Sequence, residues 1–223
     1  MIERRFTPAV QAGGIVIEER SGAQPKIRGL AAVYNSRSRD LGGFVEVIEP
    51  GAFDHLIDRR RSTAAEDVVA LWNHDASQLL GRTAAGTLSL WSDARGLWYE
   101  VDPIPNTTLG RDLLEHLRLG NVRGSSFAFT VDERDQRYER AEDGATVRFI
   151  SRVAGLYDVS PVCTPAYNDT TVAVRAFQAW QESQSAPPAA TKPAAVPVCP
   201  ALTRRASEAL ARATLSAVRC KHG

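Results

Sequence analysis

The sequence predicts a mainly β domain with flanking helices, of the α+β class, whose strands form a closed or partly closed β-barrel. Before residue 178, roughly nine short strand-like stretches follow one another, while only two stretches have helical spacing. The strands do not alternate with helices, which does not suit a parallel, doubly wound sheet. Many short strands joined by turns favour a closed sheet with helices packed outside it.

The first strands lie between residues 14 and 48. GGIVIEE alternates apolar and polar residues, IRGLAAVYN is a continuous apolar run, and GGFVEVIEPGAF alternates until a Pro-Gly pair stops it. Alternation and short apolar runs both predict β-strands. The next apolar residues, Phe53, Leu56 and Ile57, have helical spacing, so GAFDHLIDRRR predicts a short surface helix.

The middle of the chain continues with strands and then contains the clearest helix. DVVALWNHD is an apolar strand that ends in polar residues, and GTLSLWSDARGLWYEVDPI is two strands around the turn SDARG. NTTLGRDLLEHLRLGN spaces its leucines helically, begins with capping residues and ends at Gly120. These patterns predict a β-hairpin followed by an amphipathic helix.

Strands return after this helix, and then the composition changes. SSFAFTVDERD and TVRFISRVAGLYDVSPV predict strands, and TPAYNDTTVAVRA predicts a loop and a last short strand. We therefore predict a folded domain over residues 1–177, a Pro/Ala-rich flexible linker over 178–200 and a C-terminal helical tail over 201–223. The linker has too few large apolar side chains to fold alone, and the tail spaces its leucines as an amphipathic helix would.

The charge and composition of the chain indicate which partners it does not bind. The chain has 27 basic and 26 acidic residues and a net charge of +1, so no long-range field favours nucleic acid or an anionic membrane. No run of about 18 apolar residues could cross a bilayer. The thiols of Cys163, Cys199 and Cys220 fit neither a disulfide framework nor a zinc pattern. The sequence predicts no nucleic-acid partner, no membrane, no metal and no cofactor.

A candidate nucleophile lies in NVRGSSFAFT, where Ser125 and Ser126 follow a glycine at the start of a strand. Because a strand alternates its faces, only one of the two serines can face a cleft. A serine needs a base, usually a histidine, to become nucleophilic. His74 is the best placed base because it ends an apolar strand. The remaining histidines lie in helical or terminal stretches: His55, His116 and His222.

Asp158 is the candidate acid, since it stands inside the apolar strand GLYDVSPV, where a buried carboxylate without a partner is costly. An imidazole partner in a triad would account for it. Ordinary alternatives exist for all three groups: a solvated strand start for the serines, a histidine bonded to a loop, and a carboxylate that faces water. Spacing does not choose between these, and the chain has no G-x-S-x-G or H-E-x-x-H motif.

Four stretches, taken in order, resemble one family. They are GLAAVYNSRSRDLGGFVEVIEPGAF, ALWNHDASQLLGRTAAGTLSLWSDARGLWYEVDP, TLGRDLLEHLRLGNVRGSSFAFTV and LYDVSPVCTPAYNDTTVAV. Together they are similar to the prohead maturation proteases of tailed bacteriophages, serine peptidases related to the herpesvirus assembly proteases. The resemblance covers roughly residues 1–176. It implies a barrel of the herpesvirus-protease type.

The resemblance also implies a role for each candidate residue. The family's histidine in NHD falls on His74, and its nucleophile in a Gly-x-Ser-Phe-Gly-Phe pattern falls on Ser126. Ala128 replaces the second glycine of that pattern and keeps a small side chain. The acid before VSPV, usually a glutamate in the family, falls on Asp158, whose side chain is one methylene shorter.

The activity implied by the resemblance is a serine endopeptidase that works through an acyl-enzyme, inside the assembling prohead in the host cytoplasm. Its substrate would be the scaffold protein or the scaffold-like extension of the major capsid protein, and in addition the protease itself. Arg123 and Arg82 are candidates for oxyanion or substrate positioning, with a surface salt bridge as the alternative for each. The herpesvirus relatives suggest a homodimer. The alternative from another class is a non-catalytic internal scaffold or capsid-binding assembly module, which the departures at Ala128 and Asp158 favour.

Overall fold

The computed structural model describes residues 2–58, 63–64, 66–163 and 171–185. The chain divides into two units, residues 1–185 and 186–223. The second unit lies outside the described residues, and so do the predicted linker from residue 186 onward and the predicted helical tail.

Most of the elements in the described part of the chain are short strands. In chain order the elements are β1 (Glu3–Thr7), α1 (Ala9–Ala12), β2 (Ile15–Glu18), β3 (Lys26–Val33), β4 (Val45–Ile48), β5 (Ile57–Asp58), β6 (Thr63–Ala64), β7 (Val69–Leu71), β8 (Leu79–Arg82), β9 (Leu88–Ser92), β10 (Gly96–Val101), α2 (Thr108–Arg118), β11 (Gly124–Thr130), a 3-10 helix (Glu133–Asp135), β12 (Gln136–Arg140), β13 (Thr146–Ile150), β14 (Gly155–Val162) and α3 (Thr171–Ser185).

The strands form four sheets in the described part of the chain. Their orders are β1-β11-β14-β7-β8, β2-β3-β10-β9, β12-β13-β4 and β5-β6. Most neighbours are antiparallel, but β14 pairs with β7 and β13 pairs with β4 in parallel. The mainly β, α+β prediction is confirmed. The barrel is not, because the strands are divided among sheets that each keep two edges and do not close on themselves.

One hydrophobic core joins the two large sheets to α2. It includes Leu90 on β9, Tyr99 on β10, Leu113 on α2, Phe127 on β11 and Val159 on β14, each at most 1% exposed. Close packing of this kind leaves little freedom to the strands that carry it. The core therefore provides a rigid base for β11 and β14.

Helix α2 confirms the clearest helix predicted from the sequence. The Thr107 side chain accepts a hydrogen bond from the Gly110 backbone N–H, as an N-terminal cap does. Leu113 and Leu114 are buried, and the helix ends just before Gly120, whose φ is 72°. Glycine adopts this left-handed conformation without the strain that a Cβ atom would add.

The short helix predicted at GAFDHLIDRRR is wrong over the described residues 51–58. This segment forms turns, with the Asp54 N–H donating to the Gly51 carbonyl and the Leu56 N–H donating to the Phe53 carbonyl, and then enters β5. Phe53, Leu56 and Ile57 are all buried. The helical spacing thus reflects three side chains that reach the core from a tight turn. Residues 59–62 lie outside the described part.

The last predicted strand, at TTVAV, is wrong as well, because this segment begins helix α3. The helix continues to residue 185, so the predicted linker begins inside it. The Phe177 ring lies 5.1 Å from the Phe44 ring, and the Trp180 ring lies 5.5 Å from the Tyr138 ring. Two aromatic side chains three residues apart share one helix face and bury it. The sequence of this helix is rich in Ala, Ser and Gln, a composition that does not indicate such a contact.

A cluster of buried charges, formed by Glu3, Arg5, Glu46 and Arg148, ties β1 to another sheet. Arg5 bonds Glu3 at 2.5 Å and Glu46 at 2.8 Å, and Arg148 bonds both carboxylates at 2.7 Å. The four side chains are 1–6% exposed. Buried charges are tolerated when they are paired and hydrogen-bonded in this way. The cluster attaches β1, the neighbour of β11, to β4 and β13.

This cluster predicts a loss of stability in acid. Burial alone would raise the pKa of Glu3, but the hydrogen bonds and charges of Arg148 and Arg5 outweigh burial and hold that pKa below its ordinary value of 4.5. A carboxyl with a lowered folded-state pKa stabilises the protein above its unfolded pKa. That contribution is lost as the pH falls through the folded value. We expect the free energy of unfolding in urea to fall below about pH 4.5.

Glu3→Gln is the matched variant for this prediction. It should lower the free energy of unfolding at pH 7 by about 3–5 kcal/mol, because it removes one partner of a buried charge cluster. It should also flatten the acid dependence. Glu142→Gln, at an exposed site, should change neither quantity. A Glu3→Gln protein with the wild-type slope between pH 3 and 7 would contradict the prediction.

Candidate active site

His74 is presented by a tight turn that follows β7. Asn73 and His74 have φ angles of 56° and 60°, a left-handed conformation that is uncommon for residues with a Cβ atom. The turn is held against the end of β14, because the Asn73 N–H donates to the Pro161 carbonyl at 3.1 Å and the Cys163 N–H donates to Asn73 Oδ1 at 3.0 Å. Such strained backbone occurs often at functional sites.

Ser126 lies on β11, which pairs with β14 in an antiparallel register. Ser126 is opposite Ser160, and Ala128 is opposite Asp158. Residues opposite one another, and residues two apart on a strand, share one face of a sheet. The register therefore puts Ser126, Asp158 and Ser160 on the same face. Ser125 has a different partner, since its hydroxyl lies 3.0 Å from the buried Tyr99 hydroxyl.

The structure brings His74, Ser126 and Asp158 together in one chain of hydrogen bonds. His74 Nε2 lies 2.6 Å from Ser126 Oγ, and His74 Nδ1 lies 2.6 Å from Asp158 Oδ1. The Ser126 residue is 0% exposed, and the His74 side chain is 6% exposed. A serine, an imidazole and a carboxylate joined in this order and shielded from water can act as nucleophile, base and orienting acid.

The Ser126 hydroxyl has a second acceptor, the Arg5 carbonyl on β1, at 2.9 Å. A hydroxyl has one proton, so it can donate to His74 or to Arg5 but not fully to both. When Nδ1–H of His74 donates to Asp158, Nε2 is free to accept the Ser126 proton. When both ring nitrogens are protonated, Nε2–H donates to Ser126 and the hydroxyl turns to the Arg5 carbonyl. The neutral ring is the form that can activate Ser126.

Ser160 also belongs to this group of contacts, although it is not among the residues predicted from the sequence. Its hydroxyl donates to Asp158 Oδ1 at 2.7 Å and lies 3.4 Å from His74 Nδ1. The signal that could have found it is its position two residues after Asp158, on the same face of the strand.

The described contacts of Arg82 and Arg123 are with residues other than His74, Ser126 and Asp158. Arg82 forms an exposed salt bridge with Asp67, the alternative that the sequence left open. The Arg123 Nε–H donates to the Gly120 carbonyl at 2.6 Å. A role for either arginine in binding an oxyanion stays a prediction.

The described residues contain neither a metal-binding cluster nor a membrane-spanning helix. No group of three or more His, Cys, Asp and Glu side chains in that part of the chain could hold a metal ion. None of the helices described is both long and apolar enough to span a membrane. Cys163 is a free, exposed cysteine, while Cys199 and Cys220 fall outside the described residues.

Comparison with known protein families gives a match over most of the chain. A family model, described as caudovirus prohead serine protease, matches residues 15–184, which is well over half of the 223-residue chain. No curated protein and no solved structure matches the chain. The matched residues include His74, Ser126, Asp158 and Ser160, whereas β1 precedes them.

Proposed function

The chain belongs to the caudovirus prohead serine protease family, and we propose that His74, Ser126 and Asp158 are its catalytic triad. It is a serine peptidase of phage prohead maturation, as the resemblance of its sequence predicted. The observation that carries the triad proposal is the pair of 2.6 Å contacts made by the two nitrogens of the His74 ring.

In the proposed mechanism, His74 Nε2 takes the proton of Ser126 while Oγ attacks the carbonyl carbon of the scissile bond. Asp158 stays ionised, holds the ring through Nδ1–H and stabilises the imidazolium that forms. His74 then gives the proton to the amine of the scissile bond. The amine departs, and the acyl group stays bound to Ser126 as an ester. Water, activated by His74, hydrolyses the ester and restores the hydroxyl.

We extend the proposal to the substrates and the setting. The scaffold protein, or the scaffold-like extension of the major capsid protein, is the substrate, and the protease also cleaves itself. Cleavage takes place inside the assembling prohead in the host cytoplasm. The family description, which names the prohead, supports a capsid or scaffold substrate and action inside the prohead, whereas self-cleavage and the host cytoplasm stay predictions. An active homodimer stays a prediction, which sedimentation of the active protein would test.

Arg123 and Arg82 keep a conditional role in the proposal. At present the Arg123 guanidinium donates to the Gly120 carbonyl and the Arg82 guanidinium pairs with Asp67, so an oxyanion would compete with these contacts. Backbone N–H groups near Ser126 are the other source of oxyanion donors.

The alternative function, a non-catalytic assembly module, is based on two departures from the family pattern, at Asp158 and Ala128. Neither departure favours it in the folded chain. The shorter Asp158 side chain still contacts His74, and Ala128, 1% exposed, fits the packed strand.

A fluorophosphonate probe tests the proposed function directly. These probes react with activated serines, so we expect one label per folded chain, at Ser126, located by mass spectrometry of the peptides. His74→Ala should lose the label because the base is absent, and heat-unfolded protein should not react. A folded wild-type chain that takes no label would favour the non-catalytic module and overturn the proposal.

A further inference from the structure

Ser160 lies at the centre of the site and has no role in the mechanism described above. It is on β14, directly opposite Ser126 and two residues after Asp158. The residue is 0% exposed. A buried hydroxyl must find partners inside the protein, and those partners indicate what the hydroxyl does.

The Ser160 hydroxyl is directed at the atom that orients His74. Asp158 Oδ1 receives the Ser160 proton at 2.7 Å and also lies 2.6 Å from His74 Nδ1. Two donors therefore meet at one carboxylate oxygen. Hydrogen bonds to an ionised carboxylate are stronger than those between neutral groups.

A second hydrogen-bond donor is needed to hold the Asp158 carboxylate in one orientation. The terminal torsion of an aspartate carboxylate has a broad range of allowed angles. One hydrogen bond to the His74 ring does not restrict that torsion, because the ring can rotate as well. The β11–β14 pairing fixes the backbone position of Ser160. The Ser160 hydroxyl can therefore hold Asp158 Oδ1 in one orientation. With Oδ1 held there, the proton of the imidazole stays on Nδ1 and Nε2 faces Ser126.

We propose that Ser160 is a positioning residue of the triad, which acts on His74 through Asp158. The inference rests on the proposed function and deepens it. The Ser160 hydroxyl donates to Asp158 Oδ1 at 2.7 Å and lies farther, 3.4 Å, from His74 Nδ1. We therefore expect its loss to slow the activation of Ser126 and to leave probe binding unchanged.

Ser160→Ala should lower the maximal rate of fluorophosphonate labelling at Ser126 by about 10- to 100-fold, the range expected for a hydrogen bond to a charged group. The half-saturating probe concentration should stay at the wild-type value. Ser160→Thr keeps the hydroxyl and should restore most of the rate.

The matched control is Ser125→Ala. Ser125 is 1% exposed, lies on the adjacent strand β11, and makes its hydroxyl contact with Tyr99. Its loss should lower the melting temperature about as much as Ser160→Ala does and leave the labelling rate near wild type. Equal rates for Ser160→Ala and Ser125→Ala would overturn the inference.

A double-mutant cycle separates positioning from general packing. If Ser160 acts through Asp158, Ser160→Ala should change the labelling rate by less than about twofold in an Asp158→Asn background, since coupled residues are not additive. A full 10- to 100-fold loss in that background would overturn the inference. An unlabelled wild-type protein would overturn the proposed function and this inference together, whereas a labelled wild type with an equally fast Ser160→Ala would overturn only the inference.

Discussion

Ser126→Ala is expected to lower peptide cleavage by about 10⁴- to 10⁶-fold, because it removes the oxygen that attacks the scissile carbonyl. The fold should remain, since alanine is small enough for the same buried position. The measurement is co-expression of the chain with the capsid and scaffold proteins of its phage, followed by mass spectrometry of the products. Discrete fragments should form with the wild-type chain and disappear with the variant.

Ser125→Ala is the control for this experiment. It leaves the Tyr99 hydroxyl, fully buried, without its Ser125 partner, which should cost about 1–3 kcal/mol of unfolding free energy. Cleavage should continue near the wild-type rate as long as the variant is folded. If Ser126→Ala cleaves as well as Ser125→Ala, Ser126 is not the nucleophile.

Asp158→Asn should produce the second largest loss, about 10⁴-fold in cleavage rate. Asparagine has nearly the same shape, so the packing of β14 should be kept. Its amide N–H₂ would face His74 Nδ1, which lies 2.6 Å from the carboxylate in the native site. The ring would then keep its proton on Nε2, toward Ser126, and could not accept another from the hydroxyl.

The rate of cleavage and the melting temperature should be measured together for this variant. A large loss of rate with little change in melting temperature is the expected pair of results. Asp143→Asn is the control, because Asp143 is exposed and contacts Arg37 on the surface. An Asp158→Asn protein that retains more than about a tenth of the wild-type rate would contradict the role of Asp158 as the orienting acid.

The spacing of apolar residues predicted an element correctly where one regular spacing extends over several turns of a helix or along a whole strand. Helix α2 has a cap, spaced leucines and a stop, and all three signals agree with the structure. Residues 51–57 show the opposite case, since three apolar residues with helical spacing reach the core from a turn. In α3, the aromatic contacts of Phe177 and Trp180 outweigh a composition typical of linkers. Periodicity in a short segment does not reveal which partner will cover it.

The sequence by itself determined the mainly β class, the family pattern, and the three residues proposed for the triad. Each of these depends on residue type and order along the chain. Only the tertiary structure decided that the His74 ring meets Ser126 and Asp158, which are 52 and 84 residues away. It also decided that Ser160 joins them and that four buried charges hold β1 beside Ser126. Such contacts depend on strand register, a left-handed turn and packing between sheets, which bring together atoms that no local pattern relates.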